Sequence, residues 1–317
     1  MSLVDRVLAE PELRAAPPVL VDVGAAGALH PAWRRIARYA IGVGFEPDSR
    51  ETPSPDAASR RFARWIYCPG LAVPTAVTGG CQTFHLTASP QCSSTLLPQS
   101  AVLGEWAFAN FFAVSETRKF PATTIESALV AQGLGRVDWL KCDTQGLDAR
   151  LYLSLPPDWR SKLLAVEFEP GLIDAYAGED KLADVLAAMA PEPFWLSALR
   201  VGQTPRGRPK LLAERLGVTV AQWVRRLAPG APAWINVQFL RDVALAPEML
   251  GRREYLLAWV FATISGQHGQ ALTVAELGAQ RFDGGLFHAM SAASGRRLRW
   301  AMLGGIPAAC WRRLTRV

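Results

Sequence analysis

The spacing of apolar positions changes repeatedly along the chain, and each change marks an element. Val19–Val23 is an almost continuous apolar run entered from Pro17 and Pro18, a pair that no helix interior tolerates. Such a run predicts a buried parallel strand, with a short helix before it. Gly24, Ala25, Ala26 and Gly27 follow, then an amphipathic stretch to Tyr39 that predicts a helix, then a second apolar run at 40–45 that stops at Glu46 and Pro47. Strand, glycine turn, helix and strand make a βαβ unit. Further strand patterns lie at 65–73, 83–88, 137–142, 163–168, 194–199 and 234–240, while 124–133 and 180–189 carry apolar residues at helical spacings of three and four. The late strands are close together and predict an antiparallel edge. From Pro247 onward the spacing is helical, with glycine breaks at 265–269, 284–285 and 304–305. The pattern therefore predicts a doubly wound α/β domain over 1–245 and a helical extension over 246–317.

Composition narrows the function classes. Of 317 residues, 50% are apolar and 20% charged, as in an ordinary globular protein. The net charge of +6 is uneven: 246–317 holds nine arginines and four acids, so the first 245 residues are close to neutral. A near-neutral body argues against nucleic acid as a partner, because duplex binding needs a broad basic footprint. In the tail, Arg296, Arg297 and Arg299 flank Trp300, and Trp311 precedes Arg312, Arg313 and Arg316, with Met302, Leu303 and Ile306 interleaved. Arginine beside tryptophan suits an anionic membrane surface or a phosphate-bearing partner. A helix packed on the main domain with solvated arginines, a homodimer interface and a lid over an acceptor site are the alternatives. Five cysteines form no CxxC pair and four histidines show no ligand spacing, so no metal site is expected. With no long apolar leader, and with 255–264 too short to span a bilayer, the expected location is cytoplasmic, with membrane association left to the tail.

The candidate chemistry gathers where strands end. Gly24 and Gly27 form a two-glycine turn and not the GxGxxG dinucleotide pattern, which favours a cofactor without a pyrophosphate; a plain strand-to-helix turn is the alternative. Glu46 follows about twenty residues later, where an acid reads ribose hydroxyls. The strand at 137–142 closes on Asp143, Thr144, Gln145 and Gly146. Asp143 is placed to orient a cofactor amino group, to act as a base, or to cap the next helix; Gln145 is placed to hydrogen-bond an acceptor. Glu167 and Glu169 bracket Phe168, so alternation puts both on one face, where repulsion would raise one pKa and suit it to proton abstraction; pairing with an arginine is the alternative. His85, between Phe84 and Leu86, reads as a packed strand residue more readily than as a catalyst.

In order, VDVGAAG, GFEPD, CSSTLLP, TTIESAL, VDWLKCDTQGLDARLY, LLAVEFEP and INVQFLRD resemble the FkbM-type methyltransferase family over 19–242. The resemblance implies a Rossmann-like class I methyltransferase fold and S-adenosylmethionine as cofactor, held by Asp22, Gly24, Ala25, Gly27, Glu46, Ser94 and Asp143. It implies O-methylation of a hydroxyl on a small-molecule or saccharide acceptor: a sugar, a glycolipid precursor or a polyketide-like metabolite. The family's aspartate after the threonine step is Glu126 here, and its glutamate before the glycine is Gln145, so a base at that position is not carried over. Asp143, Gln145, Glu167 and Glu169 remain the catalytic candidates. A scaffold protein that keeps the fold without turnover is the competing expectation.

Overall fold

The computed structural model describes residues 1–25, 29–48, 50, 61–282 and 284–314, the side chains of 225, 226 and 303–314 excepted. Its strands are β1 (Val19–Val23), β2 (Ile41–Phe45), β3 (Arg64–Cys68), β4 (Leu71–Ala72), β5 (Cys81–Thr87), β6 (Val114–Thr123), β7 (Trp139–Cys142), β8 (Ala165–Phe168), β9 (Phe194–Thr204) and β10 (Ala231–Arg241). A seven-stranded sheet has the order β3-β2-β1-β7-β8-β10-β9, and a small sheet has the order β4-β6-β5. In the large sheet β3, β2, β1, β7 and β8 run parallel, while β10 is antiparallel to both β8 and β9. This is an α/β architecture compatible with a Rossmann-like fold, with the expected antiparallel pair at one edge.

Strand alternation sends each residue to one of two cores. Val19, Val21 and Val23 face a cluster with Leu140, Val166, Leu129, Leu151, Tyr152 and Val185, under the helices Ile125–Val130, Asp148–Leu153 and Leu182–Met189. Leu20, Trp139 and Ala165 face the opposite cluster, which holds Val7, Trp33, Ile36, Leu256, Trp259, Phe261, Phe287 and Met290. The helices Arg252–Ile264, His268–Arg281 and the first turns of Gly285–Leu314 thus form one face of the sheet core and share a single cluster with it.

Three sequence expectations change. The stretch to Tyr39 is two short 3₁₀ turns, Trp33–Arg35 and Ala37–Tyr39, and not an α-helix. Trp33, Ile36, Ala37 and Ala40 are all buried, and over so few residues a period of three is indistinguishable from 3.6. This thin crossover leaves the sheet face open, and the C-terminal helices fill it. The run at 65–73 divides into β3 and β4 at Pro69 and Gly70, since proline withdraws a ladder donor. β6 had no apolar signature, because nearly all of its first half is exposed and charged residues lie in it.

A buried ion pair fastens the two layers. The Asp138 side chain is only 2% exposed; its Oδ2 accepts from Val19 N at 2.8 Å, and its two oxygens meet Arg253 Nη1 and Nη2 at 2.8 Å each. Arg253 Nε also donates to the Ala16 carbonyl at 3.0 Å. The pair joins the start of β1 to the helix Arg252–Ile264. Removing one partner strands a buried charge, so Arg253→Ala should cost about 3–5 kcal/mol by urea denaturation. Arg253→Lys should recover only part of that, because an ammonium does not reproduce the two-pronged contact; a loss below about 1 kcal/mol in Arg253→Ala would show that the layers do not depend on the pair.

Candidate functional site

The parallel strands end at one edge of the sheet, and loops after β1, β2, β7 and β8 enclose a cavity of about 260 Å³. Glu46, Asp143 and Glu169 line it, with Leu71, Ala72 and Phe84 of the small sheet as an apolar wall. No lysine, arginine or histidine is among the described lining residues. A second cavity of about 600 Å³ shares Gln91, Gln145 and Glu169 with the first. Its walls include Phe108 and Trp234, stacked with centroids 6.2 Å apart.

Gly24 sits at φ +83°, and any Cβ there would run into the Asp143 carbonyl oxygen. Only glycine lets the end of β1 approach the end of β7 so closely. The Gly24 and Ala25 N–H groups both donate to the Phe45 carbonyl at 3.0 Å, so they brace the loop and are not directed at a ligand. Gly27 lies outside the described residues, as do Arg316 and the side chains of Leu303, Ile306, Trp311, Arg312 and Arg313.

Glu46 is buried, and its Oε1 accepts from Asp48 N at 2.7 Å. Burial, reinforced by the charges of Asp48, Asp22 and Asp143, pushes its carboxyl up to about 7. Glu169, just past the end of β8, is pushed up to about 8 by burial and by Asp143. Gln145 has φ +57°, an uncommon conformation for a residue with a Cβ. Its Nε2 donates to Asp143 Oδ1 at 3.0 Å, and its Oε1 accepts from the Tyr176 hydroxyl at 3.2 Å. Gln145 therefore stands between the two cavities with both ends of its amide engaged. Backbone strain held in place by packing recurs at functional sites.

Several expected residues lie elsewhere. Asp22 does not line the cavity; it is buried on the sheet face of the C-terminal helices and accepts from Lys141 Nζ at 2.9 Å. Ser94 is fully buried and donates to the Gln145 carbonyl at 2.9 Å, while its neighbours Ser93 and Thr95 line the cavity. Glu167 and Glu169 do not form the repelling pair that alternation suggested. Glu167 lies in a separate hollow with His30 and Lys141, where His30 Nε2 is 3.2 Å away and Gln238 and Trp139 donate to it. Burial pushes the Glu167 carboxyl up, but His30, Gln238 and Lys141 outweigh it and hold the group below the ordinary carboxylate range. His85 faces Thr117 of the small sheet at 3.0 Å.

Four contributors were missed by the sequence reading. Thr95 lines the first cavity, and its hydroxyl oxygen is buried without a hydrogen-bond partner. Asp148 caps the loop, its Oδ1 taking Thr144 N at 3.0 Å and its Oδ2 taking Glu169 N at 2.8 Å. The Thr144 to Asp148 spacing carried that signal. Tyr176 and Glu179 line the second cavity, and burial pushes the Glu179 carboxyl up to about 7; neither had a local signature. No residue of the C-terminal helices lines either cavity among the described residues, so the lid alternative gains no contact there. Those residues also hold no group of side chains fit to bind a metal, and no helix long and apolar enough to cross a membrane. Comparison with known proteins finds no matching family model and no curated protein of significant sequence similarity.

Raised carboxyl pKa values make stability depend on pH in a fixed direction. Between the unfolded value near 4.5 and the folded values of about 7 and about 8, the folded chain holds protons at Glu46 and Glu169 that the unfolded chain releases. Stability should therefore be full below about pH 4.5 for these groups and fall as pH rises toward 8, with Glu46 contributing at most roughly 3 kcal/mol. Urea midpoints across pH should show a shallower decline in Glu46→Gln, and an unchanged decline would mean that Glu46 is not the titrating group.

Proposed function

We propose that the chain is an S-adenosylmethionine-dependent methyltransferase that methylates a hydroxyl of a small-molecule or saccharide acceptor. The observation that carries this reading is the charge of the first cavity: three carboxyls and no described cation line a hollow at the ends of parallel strands. The two phosphates of a dinucleotide would find no countercharge among the described lining residues, which disfavours that ligand, whereas the sulfonium and ammonium of S-adenosylmethionine would offset the repulsion among the carboxyls.

The residues fit that cofactor. Glu46 follows β2 at the position from which an acid accepts from ribose hydroxyls. Asp143 would hold the amino group, and the unpartnered Thr95 hydroxyl would gain a polar partner. Leu71, Ala72 and Phe84 offer an apolar wall to a purine. When bound, the cofactor supplies a methyl carbon already made electrophilic by its sulfonium. The chain's own task is then to align an acceptor oxygen, keep water out and receive a proton.

The second cavity suits the acceptor, with Phe108 and Trp234 as a flat apolar platform. Glu169 lies where the cavities join, and its raised pKa makes it a stronger base than an ordinary carboxylate once ionised. A cation in the first cavity would favour that ionised form. Gln145, pinned to Asp143 and Tyr176, keeps the passage between cavities in one shape. Glu167, engaged by His30, Gln238 and Trp139 in a different hollow, is a weaker candidate for proton abstraction.

Calorimetric titration with S-adenosylhomocysteine and S-adenosylmethionine tests the cofactor reading. Both should bind, and Glu46→Ala should weaken binding by about 10- to 100-fold, the loss expected for hydrogen bonds to a charged acceptor. S-adenosylmethionine should also gain more affinity than its neutral counterpart between pH 6 and 8 (roughly the range in which Glu46 ionises). A folded wild-type chain that binds neither would overturn the proposal and leave the scaffold reading in its place.

A further inference from the structure

Between β9 and β10 the chain leaves the sheet to build two helices, Pro209–Leu216 and Val218–Leu227, joined at Gly217 with φ +80°. Over 205–230 it carries Arg206, Arg208, Lys210, Arg215, Arg225 and Arg226 against the single acid Glu214, a local charge of +5 inside a body that is near neutral in sum. Neither helix has a buried residue among those described. Leu211, Leu216, Val218 and Val220 are exposed, Trp223 is 52% exposed and Leu227 74% exposed. In the second helix Val220, Trp223 and Leu227 recur at spacings of three and four, which puts them on one side.

The root of this hairpin is fixed. Gly207 N donates to the Glu105 carbonyl at 2.8 Å, Ala107 N to the Pro205 carbonyl at 3.0 Å, and Arg208 Nη2 meets Glu105 Oε1 at 2.7 Å. Gln203, Thr204, Ala233 and Trp234, at the ends of the strands it joins, line the second cavity. An anchored, projecting pair of helices thus combines exposed apolar side chains, a tryptophan and excess positive charge beside a cavity mouth. Four cations lie within 209–227 (Lys210, Arg215, Arg225 and Arg226), Arg208 being held by Glu105 at the root, and cations beside exposed apolar side chains fit a surface that is apolar inside and anionic outside. We propose that the 209–227 hairpin docks on an anionic lipid bilayer, with its exposed apolar residues at the acyl boundary and Lys210 and Arg215 among the phosphates. The docking stands without the methyl-transfer reading. Its corollary, that the acceptor in the second cavity is membrane-borne, rests on that reading.

Flotation of the full chain with lipid vesicles tests the docking. The chain should rise with vesicles of phosphatidylcholine mixed with phosphatidylglycerol, fail to rise with phosphatidylcholine alone, and detach at high salt as the phosphate contacts are screened. Two exposed-residue variants, Trp223→Ser with Leu227→Ser, and Lys210→Glu with Arg215→Glu, should each lower vesicle binding by about tenfold or more at an unchanged thermal midpoint and unchanged S-adenosylhomocysteine affinity. Absence of flotation with anionic vesicles, or variants that float like the wild type, would overturn the proposal, the second result moving the contact to the arginine-rich C-terminal helix. A two-chain mass by light scattering that reverts to one chain in Trp223→Ser would assign the face to a second copy and overturn it as well.

Discussion

A single half-buried ammonium balances carboxyls drawn from adjacent strands. Lys141 of β7 stands level with Asp22 of β1 on one side and Glu167 of β8 on the other, with Asp22 at 2.9 Å and Asp143 at 3.8 Å from its Nζ. Burial alone would push the ammonium down, but Asp22, Asp143 and Glu167 more than offset it and hold its pKa above the ordinary value. The arrangement leaves one cation among three acids inside the fold, and beyond it Glu46 and Glu169 face a cavity with no described cation of its own. The electrostatics of the site follow from that imbalance: burial and the neighbouring acids raise the Glu46 and Glu169 carboxyls together.

The second constraint is the close approach of β1 to β7. Gly24 permits it, the Asp143 amide completes it by donating to the Val23 carbonyl at 2.9 Å, and Asp148 then fixes both Thr144 and Glu169. Asp143, Gln145 and Glu169 are thereby presented by a bracing network of hydrogen bonds, not by loose loops. Cavity shape and cavity charge come from the same few residues.

The large sheet also organises what lies away from the site. Its thin 3₁₀ crossover makes room for the C-terminal helices, which are held at the start of β1 by Asp138 and Arg253. With those helices committed to the core, the exposed apolar and basic side chains of the 209–227 hairpin stand apart near the second cavity. The sum of charge over the first 245 residues concealed this, because a dense basic segment was cancelled by acids scattered elsewhere in the sequence.

Much of the parallel sheet was legible in the chain itself. Predominantly apolar runs at 19–23 and 137–142 have few other ways to be buried, and Gly24, Glu46 and Asp143 were visible because strand ends in such sheets gather polar residues. The 3₁₀ crossover was not legible, since short periods of three and 3.6 coincide, and neither was β6, whose exposed charged residues are kept in a strand by pairing with β5. Which carboxyls share a cavity was decided by tertiary structure alone: Glu167 and Glu169 are two residues apart, yet His30 and Gln238 claim one while Asp143 faces the other. Sequence fixes which groups are available and which side of a strand they leave; their neighbours, and therefore their charge states, depend on residues brought close by packing from distant parts of the chain.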